Sequence, residues 1–249
     1  MSGHSKWATT KYRKGAQDSA RSKLFAKLVR QVEVAAREGG RDLSSNAALR
    51  TMFTKAREAS VPMDTIERAI KRGTGELEGV RYEAVSYEGY APQGVAVMVE
   101  CLTDNRNRTG AEVRSLFTRN GGSIAEPGAV SWQFERKGVV ALAKERSEDE
   151  VMEMALEAGA EDLSDEGDQW EVTCEPSELA SVRDSLEAEG MQVRSSEITF
   201  VPTTTVLLDS EGHARTVLRL VEALDDHDDV QNVHANFEIP EDVLAKLGS

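Results

Sequence analysis

Basic side chains crowd the beginning of the chain. The first 25 residues hold six Lys or Arg and one acidic residue, Asp18, although the whole protein carries a formal net charge of −14. Cations at this density attract polyanions, because each phosphate contact releases counterions from a nucleic-acid backbone. The pattern indicates a phosphate-binding segment in an otherwise acidic protein. The candidate residues are Lys6, Lys11, Arg13, Lys14, Arg21, Lys23, Lys27 and Arg30.

Three of these cations share one face of a predicted helix. Lys23, Lys27 and Arg30 are four and three residues apart, a spacing that stacks side chains on a helix. Few acidic residues stand near them in the sequence, so they would repel one another unless an anion bound there. An ordinary solvated helix face is the alternative for any single residue. Together the three cations favour contact with phosphates.

Two aromatic residues, Trp7 and Tyr12, lie among the cations. One interpretation is that they anchor the basic segment to the neighbouring helices, and this is the favoured one. The other is that they stack on a nucleic-acid base, as aromatic side chains do in single-strand binding proteins. Trp7 is therefore kept among the candidate nucleic-acid contacts.

A second cationic site is predicted at a strand-to-helix turn. The stretch "LTDNRNRTGAEVRSLF" places Arg106 and Arg108 just before a helix predicted from about Thr109 to Asn120. A helix N-terminus already favours anions, and two arginines add positive charge there. Capping of the helix by Asn107 or Thr109 is the purely structural alternative.

Patterns typical of enzymes and metal sites are not found in the sequence. The glycines of "RGTGELEGV" follow a helix and lack the Lys-Ser/Thr of a phosphate-binding loop. The run from Asp225 to Asp229 reads as a solvated turn rather than a cation site. We therefore predict a non-enzyme without metal, cofactor or small-molecule substrate. The four histidines lie in different segments: His4, His213, His227 and His234.

Cysteine usage and hydropathy bear on the cellular setting. Cys101 and Cys174 are too far apart in sequence for a C-x-x-C redox pair or a metal knuckle, so both are predicted to be free thiols. No apolar run approaches the roughly 20 residues that a membrane helix needs. The first 25 residues also lack the apolar stretch of a signal peptide. A cytoplasmic protein with no membrane partner is expected.

Charge divides the chain into two parts. Residues 1–75 contain 16 Lys/Arg and 7 Asp/Glu, a balance of +9, whereas residues 76–249 contain 14 and 37, a balance of −23. The sign reverses in "KRGTGELEGV", a glycine-rich stretch typical of a joint between domains. The two parts are expected to have different partners, since polyanions attract the first and are repelled by the second.

The basic part is predicted to form three helices. Ser44 or Ser45 is the expected cap of the second, and Asp64 with Glu67 resembles a capping box for the third, which Gly73 ends. Apolar stripes that face one another would make a small bundle. The stripe of the first helix consists of Leu24, Phe25, Leu28, Val29 and Val32.

The acidic part alternates short β runs with single helices. Residues 137–200 follow the order β-α-β-β-α-β of a ferredoxin-like unit. The flanking segments make a second unit of that order. Before residues 137–200 stands a predicted β-α-β-β with a strongly β-prone strand from Val95 to Leu102 and two short strands that end near Glu135. After them comes a β-α-β that begins with the strand "TTVLL". We predict an α+β fold: a three-helix bundle followed by two ferredoxin-like α/β domains, one inserted into the other. The predicted domains are residues 1–79, residues 80–136 with 201–249, and the inserted residues 137–200.

Four stretches resemble the YebC family of bacterial regulators, which has a mitochondrial translational-activator branch. They are "GHSKWATTKYRKGAQD", "VPMDTIERAIKRGTGE", "YEGYAPQGVAVMVECLTDNRNRT" and "FERKGVV". The resemblance implies a helical N-terminal domain and two α/β domains around a central cavity. Tyr12 stands where many members carry His. The residues of the family's N-terminal motif that are present are Gly3, His4, Ser5, Lys6, Trp7, Lys11, Arg13 and Lys14.

The resemblance leaves two functions open. Members are commonly described as probable transcriptional regulators that bind DNA, which makes a non-enzymatic DNA-binding regulator the first expectation. The mitochondrial branch, and newer views of the bacterial one, imply instead a ribosome-associated translation factor that contacts ribosomal RNA and relieves stalling at proline-rich stretches. The sequence shows no clear helix-turn-helix spacing, which disfavours site-specific DNA reading. An acidic scaffold that acts through protein contacts alone is a third, weaker alternative.

Overall fold

The computed structural model describes residues 17–247, with side chains from Ser22 onward. Its first part is a bundle of three helices, as the apolar stripes predicted. Leu28, Val32, Leu49 and Ile66 are buried at the centre of this bundle. The predicted stripe holds except at Leu24, which is exposed. The helices are α1 (Gln17–Gly39), α2 (Ala47–Glu58) and α3 (Met63–Gly73).

The helix caps differ from those expected. Asn46, rather than Ser44 or Ser45, caps α2 by accepting a hydrogen bond from the Leu49 N–H over 3.0 Å. The Asn46 amide also donates to the carbonyls of Ala35 and Gly40, each over 2.8 Å. One side chain thus caps α2 and ties it to the end of α1, which the serines do not do. The expected capping box of α3 is also wrong, since α3 begins after Pro62 without a side-chain cap.

Beyond the bundle, a first antiparallel sheet has the strand order β3-β1-β2-β9. Helices α4 (Arg106–Arg119) and α7 (Glu211–Asp225) supply Phe117 and Leu220 to its core. The strand β2 is the central apolar strand that the sequence predicted. The strands are β1 (Glu83–Tyr90), β2 (Ala96–Thr103), β3 (Ser123–Ala125) and β9 (Val230–Ala235).

A second sheet has the order β5-β6-β4-β7 and is antiparallel throughout. This is the strand order of a ferredoxin-like unit, with α5 (Glu148–Glu157) and α6 (Leu179–Ala188) as its two helices. Trp170, Val172 and Leu186 are buried in its core. The strands are β4 (Phe134–Ala143), β5 (Asp162–Asp165), β6 (Gln169–Cys174) and β7 (Val193–Pro202).

The join between the sheets differs from the sequence prediction. A second short strand was expected to end near residue 135, but β4 starts at Phe134 and continues into the second sheet. Likewise β7 runs through residues 200 and 201, so the predicted domain boundaries lie inside paired strands. An apolar cluster that includes Met98, Phe134 and Phe200 fills this join and favours continuous strands there. The division into domains stays a prediction.

The C-terminal elements also depart from expectation in one respect. The segment "TTVLL" was predicted as a strand of the first sheet. Instead β8 (Val206–Leu207) pairs in parallel with β10 (Phe237–Glu238), apart from that sheet. In the first sheet, β1 pairs with β2 in a hairpin on one side and with β3 on the other. Helix α8 (Glu241–Leu247) follows β10.

Candidate nucleic-acid interface

The cationic face of α1 meets a segment from the other end of the chain. This segment, which we call the acidic turn, comprises Asp225–Asp229 and links α7 to β9. Lys23 Nζ lies 2.9 Å from Asp226 Oδ1. Lys27 Nζ lies 3.0 Å from Asp225 Oδ1 and donates to the Asp225 carbonyl over 2.9 Å. Ion pairs therefore hold α1 against the acidic turn.

Arg30 extends the same contact. Its Nη1 lies 3.3 Å from Asp229 Oδ1, and it also donates to the Asp228 carbonyl. The Lys27 and Arg30 side chains are only 15% and 16% exposed, whereas Lys23 remains 39% exposed. The expectation that few acidic residues pair with these cations is therefore wrong. Their contact with nucleic acid stays a prediction.

Asp229 is the buried member of the acidic turn, although the sequence predicted a solvated turn there. Its Oδ2 accepts hydrogen bonds from Thr109 Oγ1 over 2.7 Å and from Arg108 Nη2 over 2.6 Å. Burial by itself would raise the pKa of the Asp229 carboxyl. The hydrogen bonds from Thr109 and Arg108, with the positive charge of Arg30 nearby, outweigh it and lower that pKa below its ordinary value.

The second cationic site lies in the first turn of α4 and not before it, because the helix begins earlier than predicted. Helix α4 begins at Arg106 and is capped by Asn105, whose side chain accepts from the Arg108 N–H over 3.1 Å. Arg106 and Arg108 thus lie inside the first turn of the helix, and neither Asn107 nor Thr109 is the cap. Asn105 reaches this N–H because it has the extended backbone typical of a capping residue.

The two arginines have different surroundings. The Arg108 guanidinium pairs with Asp229 and, over 2.9 Å, with Asp104. The hydrogen bond and charge of Asp229 raise the Arg108 pKa further, so this cation stays protonated at any relevant pH. Arg106 is exposed. Only Arg106 therefore presents its charge mainly to solvent.

A cleft of about 650 Å³ opens between α1, α4 and the acidic turn. The Arg30 guanidinium lies 5.2 Å from the centre of the Tyr82 ring, which forms part of the wall. Charges of both signs line the cleft, so it does not have the uniform positive potential of a phosphate pocket. The remaining lining residues are Lys23, Asp104, Arg108, Glu112 and Asp226 to Asp229.

Sequence reasoning missed one cluster in this cleft, because its members are distant along the chain. Ligand atoms of Glu112, His227 and Asp229 lie within 4.8 Å of one another, close enough for a metal ion. Each is already engaged. His227 Nδ1 accepts from the Asp229 N–H over 3.1 Å, and its Nε2 faces Glu112 Oε2 at 2.8 Å. Hydrogen bonds within the cluster and from Arg108 to Asp229 therefore already engage these three side chains.

The remaining predicted contacts fall on the N-terminal residues. Arg21 belongs to α1 by its backbone, and its side chain is outside the described atoms. The roles of these residues stay predictions. Those that lie outside the described residues are Lys6, Trp7, Lys11, Arg13 and Lys14, together with Tyr12.

Helix hydropathy and the two cysteines bear on the predicted cellular location. Across residues 17–247, no helix is both long and apolar enough to cross a membrane. Cys101 and Cys174 are both buried and free, as the sequence predicted. Each packs as a small apolar residue, since Cys101 lies in the core of the first sheet and Cys174 in that of the second.

Comparisons with known proteins agree over nearly the whole chain. Residues 5–76 match the model of the TACO1/YebC protein N-terminal domain, and residues 82–237 match that of the TACO1/YebC second and third domain. A "Probable transcriptional regulatory protein" of Kineococcus radiotolerans is 54% identical over 251 residues, covering 99% of each chain. One of the same name from Thermobifida fusca is 55% identical over 249 residues, covering 99% of this chain and 100% of the relative.

A solved structure is also similar. The crystal structure of a conserved hypothetical protein from Aquifex aeolicus superposes with a TM-score of 0.80 and 49% sequence identity. The match covers 89% of this chain and 91% of that one. The helical bundle and the antiparallel sheets are therefore an arrangement that an experimental structure also shows.

Proposed function

Since this chain belongs to the TACO1/YebC family of regulatory proteins, we propose that it is a non-enzymatic regulator of gene expression that binds nucleic acid through its basic N-terminal part. The observation that carries this proposal is the separation of charge. Residues 1–75 carry +9 and residues 76–249 carry −23. The basic part also has an apolar core distinct from the cores of the two sheets, and its positive charge favours contact with phosphates.

The ion pairs of α1 indicate which cations would contact a nucleic acid first. Lys23, Lys27 and Arg30 are occupied by the acidic turn in the described arrangement. The initial contact is therefore assigned to the basic residues that precede them and to the exposed Arg106. Those residues are Lys6, Lys11, Arg13, Lys14 and Arg21, with Trp7 among them.

The first candidate is a DNA-binding transcriptional regulator in the cytoplasm. Its support is the name of the relatives, "Probable transcriptional regulatory protein". Binding would depend on phosphates with little sequence preference, since contacts to the backbone carry no base information. The second candidate is a translation factor that contacts ribosomal RNA. The acidic turn lies directly against α1, with Asp226 at 2.9 Å from Lys23. A long duplex running past this point would be repelled, whereas a compact RNA contact would avoid it.

Replacement of Lys11, Arg13 and Lys14 by Ala in the full chain tests the common part of the proposal. The wild-type slope of log affinity against log salt should be roughly −4 to −6 on a DNA duplex of about 30 base pairs. The triple variant should flatten that slope by about two to three units, with equal losses on unrelated sequences. The matched control replaces the exposed Arg194, Arg215 and Arg219, which removes the same charge from the acidic part. Wild-type binding by the Lys11/Arg13/Lys14 variant would contradict the proposal.

Ribosome co-sedimentation of the same variants separates the two candidates. Loss of ribosome binding with DNA binding intact would favour the translation factor, and the reverse result would favour the transcriptional regulator. Losses confined to one duplex sequence would instead indicate base-specific reading. The control variant should match the wild type in both assays.

A further inference from the structure

We propose that the acidic turn competes internally with nucleic acid for the cations of α1. In the described arrangement it pairs with Lys23, Lys27 and Arg30, and phosphates release α1 from it to complete a larger binding face. This inference rests on the proposed function and adds its regulation. The protein would bind weakly while the turn stays in place, and more tightly once α1 is released.

The first support is the match between the turn and a phosphate backbone. Four of the five residues from Asp225 to Asp229 are acidic. Their oxygens approach the lysines of α1 at 2.9 and 3.0 Å, which is the usual length of a charge-assisted contact to a carboxylate or phosphate. The turn thus occupies the positions from which phosphate oxygens would bind Lys23 and Lys27.

The second support is the polar nature of the junction. Among the described residues, the buried apolar core of the bundle is formed entirely between Leu28 and Ala69. Further ties from the bundle to the rest include an ion pair of Lys55 with Glu197 and hydrogen bonds from Arg37 to the Val80 carbonyl and from Arg30 to the Leu102 carbonyl. Separation at this junction would leave the apolar core of the bundle intact. The more exposed pairs, Lys23–Asp226 and Lys55–Glu197, are weak and are screened by salt, so a polyanion can replace them.

The third support is that α1 can leave without stranding a buried charge. Asp229 keeps its hydrogen bonds from Thr109 and Arg108 when Arg30 departs. Asp226 is already exposed, and water can solvate it further. Residues 74–82, between α3 and β1, form neither a helix nor a strand, so a shift of the bundle breaks no secondary structure there.

Neutralising the outer acids should strengthen binding. We expect Asp225→Asn/Asp226→Asn in the full chain to bind a DNA duplex of about 30 base pairs roughly three to ten times more tightly than the wild type. The slope of log affinity against log salt should steepen by about one to two, because Lys23 and Lys27 join the phosphate contacts. The matched control is Asp149→Asn/Glu153→Gln, which removes two exposed negative charges from α5.

The lysines provide the second half of the test. In a Lys23→Ala/Lys27→Ala background, the gain from Asp225→Asn/Asp226→Asn should fall to that of the control pair. A gain that persists without the lysines would show a general field effect and overturn the proposal. A gain no larger than that of the control pair in the wild-type background would overturn it as well.

Crosslinking of the wild type reports the displacement directly. A zero-length carbodiimide should join Lys23 or Lys27 to the acidic turn, because amine and carboxylate are in contact. Saturation with the duplex should lower the yield of this crosslinked peptide several-fold, and the yield of a Lys137–Glu175 crosslink in the second sheet should not change. An unchanged Lys23 or Lys27 yield with the duplex bound would overturn the displacement.

The two proposals fail in different ways. If the Lys11/Arg13/Lys14 variant loses binding while the turn variants match their control, only the competition by the acidic turn is refuted. If the wild type and every variant bind neither the duplex nor ribosomes, both proposals are refuted.

Discussion

Thr109 Oγ1 donates a 2.7 Å hydrogen bond to Oδ2 of Asp229, although the two residues are 120 positions apart. The contact joins the first turn of α4 to the start of β9. The Leu102 N–H adds a 2.9 Å hydrogen bond to the Asp229 carbonyl. Together these bonds hold the acidic turn in place, so that its outer carboxylates face α1.

Replacement of Asp229 by Ala should lower the free energy of unfolding by about 2 kcal/mol. The change removes the buried carboxylate that accepts hydrogen bonds from the Thr109 hydroxyl and from Arg108. Chemical denaturation at neutral pH measures the effect. Asp228→Ala is the control, since Asp228 is exposed, and it should change stability little. Equal effects of the two substitutions would contradict the structural role of Asp229.

Glu88 should make stability depend on acid pH. Burial raises the pKa of its carboxyl, but hydrogen bonds from the backbone N–H groups of Gly128, Val130 and Ser131 outweigh burial and lower it below the ordinary value of 4.5. Because the folded pKa lies below the unfolded one, the stabilisation is present above about pH 4.5 and is lost as the pH falls. Glu88→Gln should therefore flatten the decline of Tm between about pH 6 and pH 3. Parallel curves for variant and wild type would contradict this.

Cys101 should resist alkylation in the folded protein. Burial, with the negative charges of Asp229 and Glu100 nearby, raises the pKa of its thiol to about 12. Burial also raises the pKa of Cys174. Because the thiolate is the reacting form, iodoacetamide at about pH 8 should leave the native mass unchanged and add two groups after denaturation. A Cys101–Cys174 disulfide, seen as a mass shift on reduction, would contradict the free thiols.

The second sheet with its helices should fold by itself. Its buried core lies wholly between Val140 and Met191. A fragment of residues 134–202 keeps all of β4 and β7 and should unfold cooperatively in a thermal melt. The predicted domain of residues 137–200 removes three pairs from these strands, including Phe134 with Pro202, and should be less stable. A non-cooperative melt of the longer fragment would refute the insertion.

Several features of the fold could be predicted because they depend on nearby residues. The apolar spacing of Leu28 and Val32 identifies α1, and the β-prone run from Val95 identifies β2, within windows of about ten to twenty residues. The caps were harder. Asn46, and not Ser44, caps α2, and its amide also donates to the Ala35 carbonyl of α1. No local sequence pattern contains this contact.

The same distinction applies to the candidate interface. The sequence by itself determined that the N-terminal part is basic, that the rest is acidic and that Lys23, Lys27 and Arg30 share a helix face. Only the tertiary structure decided that those cations meet the acidic turn, because Lys23 and Asp226 are 203 positions apart. Spacing along a helix is set by local backbone geometry. The partner of a charge is set by which surfaces the whole fold brings together.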